Sequence, residues 1–136
     1  MKRVKDYIGD ETFCFTYGDC VSDVNIGELI NFHREQKRIA TVTAVQPVGR
    51  FGSFLLGAGE TQVPRFTEKP PGDNAWINGG FFVLEPGVMD YIAGDSTVWE
   101  HGPLENLALE GRLSAFPHKG FWHSMDSLRE IGRAHV

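Results

Sequence analysis

Near its start the sequence spells a strand, a helix and a second strand, and few folds accommodate that succession. Residues 13–17, Phe-Cys-Phe-Thr-Tyr, form a short apolar run ended by Gly18 and Asp19, the pattern of a buried strand that opens into a polar loop. Asn25 and Glu28 have the spacing of a capping box, and Ile26, Leu29, Ile30 and His33 follow at helical intervals. Residues 40–45, Ala-Thr-Val-Thr-Ala-Val, are rich in β-branched side chains and stop short of Pro47. Strand, helix, strand is the βαβ signature, so the expected class is α/β around a sheet that is at least partly parallel.

A chain of 136 residues can bury one sizeable core and is too short for two domains. With 41% hydrophobic and 23% charged residues it is neither disordered nor collagen-like nor a coiled-coil polymer. Lys and Arg number 13 against 18 Asp and Glu, a net charge of −5, so nucleic acid and anionic membrane are not expected partners. An acidic chain that handles phosphates needs a few placed cations or a metal. No apolar run approaches the roughly 20 residues of a membrane span. No signal-peptide core follows Met1 to Asp6, which makes the cytoplasm the expected location. Cys14 and Cys20 lack a CxxC arrangement or a second pair, and read as buried or incidental thiols.

The middle of the chain is different in kind. Phe54 to Leu56 and Val63 to Phe66 are short β segments separated by Gly57, Gly59 and Glu60, as in a hairpin or meander, and Pro64 points to an edge strand. After the turn-rich stretch 69–73 comes Trp76-Ile77-Asn78-Gly79-Gly80-Phe81-Phe82-Val83-Leu84, whose apolar end suits a central strand interrupted at its start. Two helices are expected next. One lies near Pro86 with Val88, Tyr91 and Ile92 inward, and one is opened by Pro103, carries Leu104, Leu107 and Ala108, and is closed by Gly111. Leu113 to Phe116 and Phe121-Trp122 read as strands, and Ser127 with Glu130 marks a helix start that barely continues. Read-through of a common sequencing-adapter sequence would encode the last seven residues. The expected organisation is therefore one catalytic-type domain over 1–129 and a non-native tail over 130–136, with the domain truncated at both ends.

Several polar residues fall where chemistry is often done. Asp19 ends a strand, and the carboxyl ends of strands are where α/β sheets bind ligands. Asp126 follows the Phe121-Trp122 segment in the same way, and two carboxylates in one crevice suit Mg²⁺. An Asx-turn at Asp19 and a helix cap at Asp126 are the commoner explanation of such spacing. Glu68-Lys69-Pro70 sets an anion beside a cation at a loop rim. Lys69 could neutralise a phosphate and Glu68 accept from sugar hydroxyls, or the pair could be an exposed charged turn. Asn78-Gly79-Gly80 would let backbone approach a ligand, and a β-bulge explains it equally well. The five histidines are too scattered for a metal cage, and neither a Walker A motif nor GxGxxG is present.

The order of these pieces carries a resemblance. Phe13 to Asp19, Val48-Gly49-Arg50-Phe51-Gly52, Phe66-Thr67-Glu68-Lys69-Pro70, Trp76 to Leu84, Thr97-Val98-Trp99-Glu100, Pro103-Leu104-Glu105, Gly120-Phe121-Trp122 and Met125-Asp126 together closely resemble the glucose-1-phosphate cytidylyltransferases, sugar nucleotidyltransferases of bacterial surface-polysaccharide (O-antigen) pathways. The resemblance runs to about Arg129 and is specific as a set. It implies a Rossmann-like nucleotide-diphospho-sugar transferase fold with a mixed, mostly parallel sheet and a small β meander, of which this chain is the C-terminal portion. It also implies CTP and glucose 1-phosphate as substrates, CDP-glucose and pyrophosphate as products, Mg²⁺ as cofactor, and a homo-oligomer in the full-length enzyme. On that pattern Gly18 lies in the nucleotide site, Asp19 and Asp126 hold the metal, Glu68 and Lys69 bind the sugar phosphate, and Asn78 with Gly79 contacts the glucose. Lys69, Asp19 and Asp126 would carry catalysis.

The chain departs from that pattern in places. Cys20 stands where glycine is usual, His123-Ser124 where Gln-Pro is expected, and Val48 where a second proline is common. The family's glycine-rich nucleotide loop with its following lysine does not occur within these 136 residues. A fragment without catalytic activity is therefore expected, with a sugar-phosphate-binding remnant or assembly module as the alternative role.

Overall fold

The computed structural model describes residues 1–46, 53–54, 61–63 and 75–125. Its elements run α1 (Lys5–Ile8), β1 (Phe13–Phe15), β2 (Cys20–Ser22), α2 (Ile26–Gln36), β3 (Ala40–Val45), β4 (Ser53–Phe54), β5 (Trp76–Asn78), β6 (Phe82–Leu84), α3 (Pro103–Leu109), β7 (Leu113–Pro117) and β8 (Trp122–Ser124). Single 3₁₀ segments occupy Lys2–Val4, Pro86–Tyr91 and Trp99–His101.

Alternation along β3 organises the layers. Ala40, Val42 and Ala44 face a core built with Phe82, Leu84, Leu113 and Ala115 and closed over by Leu104, Leu107 and Ala108 of α3 and by Val88 and Met89. Thr41 turns to the other face, where its hydroxyl meets His33 of α2 at 2.8 Å, and Phe116 of β7 packs edge-on against Phe32 at 5.2 Å. A strand covered on both faces is apolar at every position or satisfies its polar ones internally, and all six residues of β3 are buried. The helix signals act as the sequence implies. The Asn25 side chain accepts from the Glu28 amide at 3.0 Å, and Pro103 opens α3 while Gly111, at φ +73°, follows its end.

The βαβ unit is present, with a strand inserted into it. β1 and β3 each run antiparallel to β6, which lies between them, so β1 and β3 point the same way while α2 connects them. The expectation of a mostly parallel sheet is corrected accordingly. β3 and β7 form a parallel ladder from Ala40 to Ala44, whereas the other described pairings of that sheet are antiparallel. The α/β class and the mixed sheet stand. Placing a later strand between β1 and β3 separates two parallel neighbours by an antiparallel one, and no local pattern in residues 13–45 encodes that. The Pro86 segment is likewise a 3₁₀ helix instead of an α-helix. Cys14 is exposed, because β1 is half-covered and alternates Phe13 and Phe15 inward with Cys14 outward.

One edge of β3 is taken by β7, so β5 and β6 share the other edge as a single interrupted strand. Leu84 opposes Ala40 and Val83 opposes Thr41, yet Asn78 opposes Ala44, which leaves extra residues between the two halves. A separate two-stranded sheet pairs β2 with β8, Cys20 opposite Ser124. Leu55, Leu56, Pro64 and the 127–130 helix start lie outside the described residues, as do residues 130–136.

Candidate functional site

The interruption between β5 and β6 is the centre of the site. The Gly79 amide donates to the Thr43 carbonyl at 2.8 Å, the Thr43 amide donates to the Gly80 carbonyl at 3.3 Å, and the Thr43 hydroxyl donates to the Phe81 carbonyl at 2.8 Å. The chain is thereby pinned on both sides of the bulge. Gly80 and Phe81 have φ of +74° and +47°. Gly80 tolerates this freely; Phe81 does so at a cost, offset by the part-buried hydrogen bond to its carbonyl. A side chain at Gly79 would sit 3.0 Å from the Thr43 carbonyl oxygen and from Val45 Cγ1, so glycine is what lets this backbone lie flat on β3.

Three segments converge on the bulge. Tyr17, just past β1, places its hydroxyl 3.0 Å from Asn78 Nδ2, while Asn78 Oδ1 accepts from the Gly80 amide at 2.9 Å. Trp122 of β8 donates its indole N–H to the Gly79 carbonyl at 2.8 Å. The Cys20 thiol lies 3.9 Å from that same carbonyl. Burial first, then the negative Glu100 carboxylate nearby, pushes the Tyr17 phenol far above its ordinary range, so it stays protonated. Burial, reinforced by the neighbouring Asp19 charge, also pushes the Cys20 thiol up, which makes it a poor nucleophile.

Gly18 and Asp19 lie exposed in the turn between β1 and β2. The Asp19 carbonyl accepts from the Met125 amide at 2.6 Å, which continues the β2–β8 ladder and brings Asp19 beside the residue that precedes Asp126. Asp19 and Met125, 106 positions apart in the chain, thus meet at the end of one small sheet. Asp126, Glu68 and Lys69 themselves lie outside the described residues. Among the described residues no group of three His, Cys, Asp or Glu side chains could hold a metal. Two carboxylates that leave the rest of the coordination shell to water and phosphate oxygens would not form such a group, and that is the donor set Mg²⁺ commonly takes. The exposed Asp19 carboxylate fits one half of it.

Sequence reasoning missed a cavity of about 400 Å³ at the carboxyl ends of the parallel pair β3 and β7, lined by Val45, Gln46, His118, Lys119, Gly120 and Trp122. His118 Nε2 is 2.9 Å from Asp23 Oδ1, which ties the loop after β7 to the turn after β2. The available signal was general: ligands gather at the carboxyl ends of parallel strands. Using it requires knowing that β3 and β7 are neighbours.

A βαβ-based mixed sheet thus gathers a glycine bulge and an aspartate turn at one end. The sequence model of the nucleotidyl transferase family matches residues 1–112, and the chain belongs to that family. Glucose-1-phosphate cytidylyltransferases of Salmonella typhimurium and Salmonella typhi are each 53% identical to it over 131 residues, covering 96% of this chain and 50% of theirs. The chain therefore spans about half the length of these relatives. A UDP-glucose pyrophosphorylase from Acinetobacter baumanii superposes with a TM-score of 0.78 at 13% identity, over 98% of this chain and 52% of that one, a likeness of fold. Among the described residues no helix is long and apolar enough to cross a membrane.

Proposed function

We propose that this chain is part of a glucose-1-phosphate cytidylyltransferase, a reading supported above all by the Asp19–Met125 hydrogen bond, which brings the Asp19 turn to the residue that precedes Asp126 in the sequence, on the strand whose Trp122 bonds the Asn78 bulge. A phosphate oxygen of glucose 1-phosphate forms a bond to the α-phosphorus of CTP while the bond from that phosphorus to the bridging oxygen breaks. CDP-glucose forms and pyrophosphate leaves. No covalent enzyme intermediate is needed, and positioning with charge neutralisation carries the rate. Asp19 and Asp126 would hold Mg²⁺, and the ion when bound would supply positive charge against the repulsion between the two anionic substrates. Lys69 neutralises the sugar phosphate, Glu68 accepts from sugar hydroxyls, Asn78 and Gly79 contact the glucose, and Gly18 lets the nucleotide lie close to backbone. An acidic chain thus binds two phosphates with a metal and one placed lysine.

No glycine-rich loop followed by a lysine occurs within these residues, so the chain by itself is expected to bind sugar phosphate without turning it over. The test is a CDP-glucose assay with CTP, glucose 1-phosphate and Mg²⁺. It is run on this chain and on the Salmonella typhimurium enzyme in which this chain replaces the 131 matching residues. Product from the graft, abolished by Asp19→Asn, is expected. A graft that folds and makes no CDP-glucose overturns the substrate assignment and leaves the non-catalytic binding role.

A further inference from the structure

An asparagine that reads a sugar is specific only when its carboxamide cannot turn over, because the two ends offer opposite hydrogen-bonding chemistry. We propose that Tyr17 is a positioning residue that holds the Asn78 carboxamide in the orientation the Gly80 amide selects, and so fixes the donor and acceptor the bulge offers; the identity of the ligand rests on the cytidylyltransferase reading above, the geometry does not. Asn78 Nδ2 donates to the Tyr17 hydroxyl at 3.0 Å, and Asn78 Oδ1 accepts from the Gly80 amide at 2.9 Å.

The Gly80 N–H can only donate, so it rejects the nitrogen end. The Tyr17 hydroxyl accepts from the nitrogen end that this leaves, and so holds the carboxamide in the plane the Gly80 amide selects. The Tyr17 ring is itself fixed edge-on against Phe15 at 5.9 Å and Phe82 at 5.8 Å, and a β-carbon on Gly80 would stand 3.2 Å from its Cδ2. Among the described residues these are the two bonds the Asn78 carboxamide makes, which leaves one N–H and one oxygen lone pair for a ligand. That pair is complementary to two neighbouring hydroxyls of a sugar.

Tyr17→Phe keeps the ring packing and removes the hydroxyl that holds the amide nitrogen. In this chain, the Asn78 side-chain amide protons should exchange slowly with water and exchange at least about tenfold faster in Tyr17→Phe, as expected for a lost hydrogen bond. Equal exchange rates would overturn the positioning role whatever the enzyme does. In the active graft, Tyr17→Phe should raise KM for glucose 1-phosphate about five- to tenfold, with kcat and the KM for CTP within about twofold. In an Asn78→Ala background the same change should add nothing. Additive effects, or a fall in kcat with both KM values raised together, would show that Tyr17 does not act through Asn78. If the folded graft makes no CDP-glucose, the substrate reading falls and the exchange measurement still decides the role of Tyr17.

Discussion

Single residues around the bulge carry two demands at once, space and backbone conformation. Gly80 has φ +74° and lies under the Tyr17 ring, so Gly80→Ala should lose about 1–2 kcal/mol in urea unfolding. An alanine tolerated within about 0.3 kcal/mol would mean that the backbone there relaxes at no cost. Tyr17 supplies a pH signature with a definite sign. Its folded-state pKa is raised, so the native state holds a proton that the unfolded chain releases near pH 10. Stability from this group is complete below that pH and declines as pH rises above it. Tyr17→Phe should flatten the alkaline fall in melting temperature; an unchanged alkaline limb would refute the burial of that phenol. Asn-Gly-Gly allowed a bulge and a close backbone approach to a ligand equally, and the partners of Asn78 were not legible at all, since Tyr17 lies 61 positions away.

Among the elements, α2 best illustrates local signals and tertiary needs in agreement. Asn25 caps it, and His33 on its inner face is buried with both ring nitrogens engaged, Nδ1 to Thr41 at 2.8 Å and Nε2 to Glu85 at 2.6 Å. Glu85 also accepts from the Thr12 hydroxyl at 2.9 Å, so the helix, β3 and the loops before β1 and after β6 meet in one polar cluster. His33→Ala should cost about 2–3 kcal/mol, because it leaves a buried threonine and a carboxylate with lost partners. The Arg3–Asp95 pair is 2.7 Å long but 82% and 53% exposed, so Arg3→Ala should cost under about 0.5 kcal/mol. Equal losses in the two variants would sink the distinction. Helical spacing marked His33 as an inward residue. Its role as a hinge between layers depends on Glu85, and no pattern in the helix announces that partner.

For the molecule as a whole, the main sheet and the β2–β8 pair are joined at the site. Trp122 anchors the small sheet to the Gly79 carbonyl, and the Asp19 turn and the Met125 end are bonded to each other. Trp122→Phe should speed amide exchange in 20–22 and 122–124 while leaving β3 as protected as before; uniform loss of protection would make Trp122 a global core residue instead. The sequence by itself determined the pieces whose physics is local. These are the capped helix, the buried β-branched strand, the proline-opened helix with its closing glycine, and the order of motifs that marks the family. Each follows from side-chain periodicity or from a hydrogen bond spanning three or four residues. Only the tertiary structure decided that β6 enters between β1 and β3, that Tyr17 and Trp122 converge on the bulge, and that a cavity opens beside His118. Those outcomes depend on pairings between distant strands, whose register is chosen by burying both faces of β3 at once.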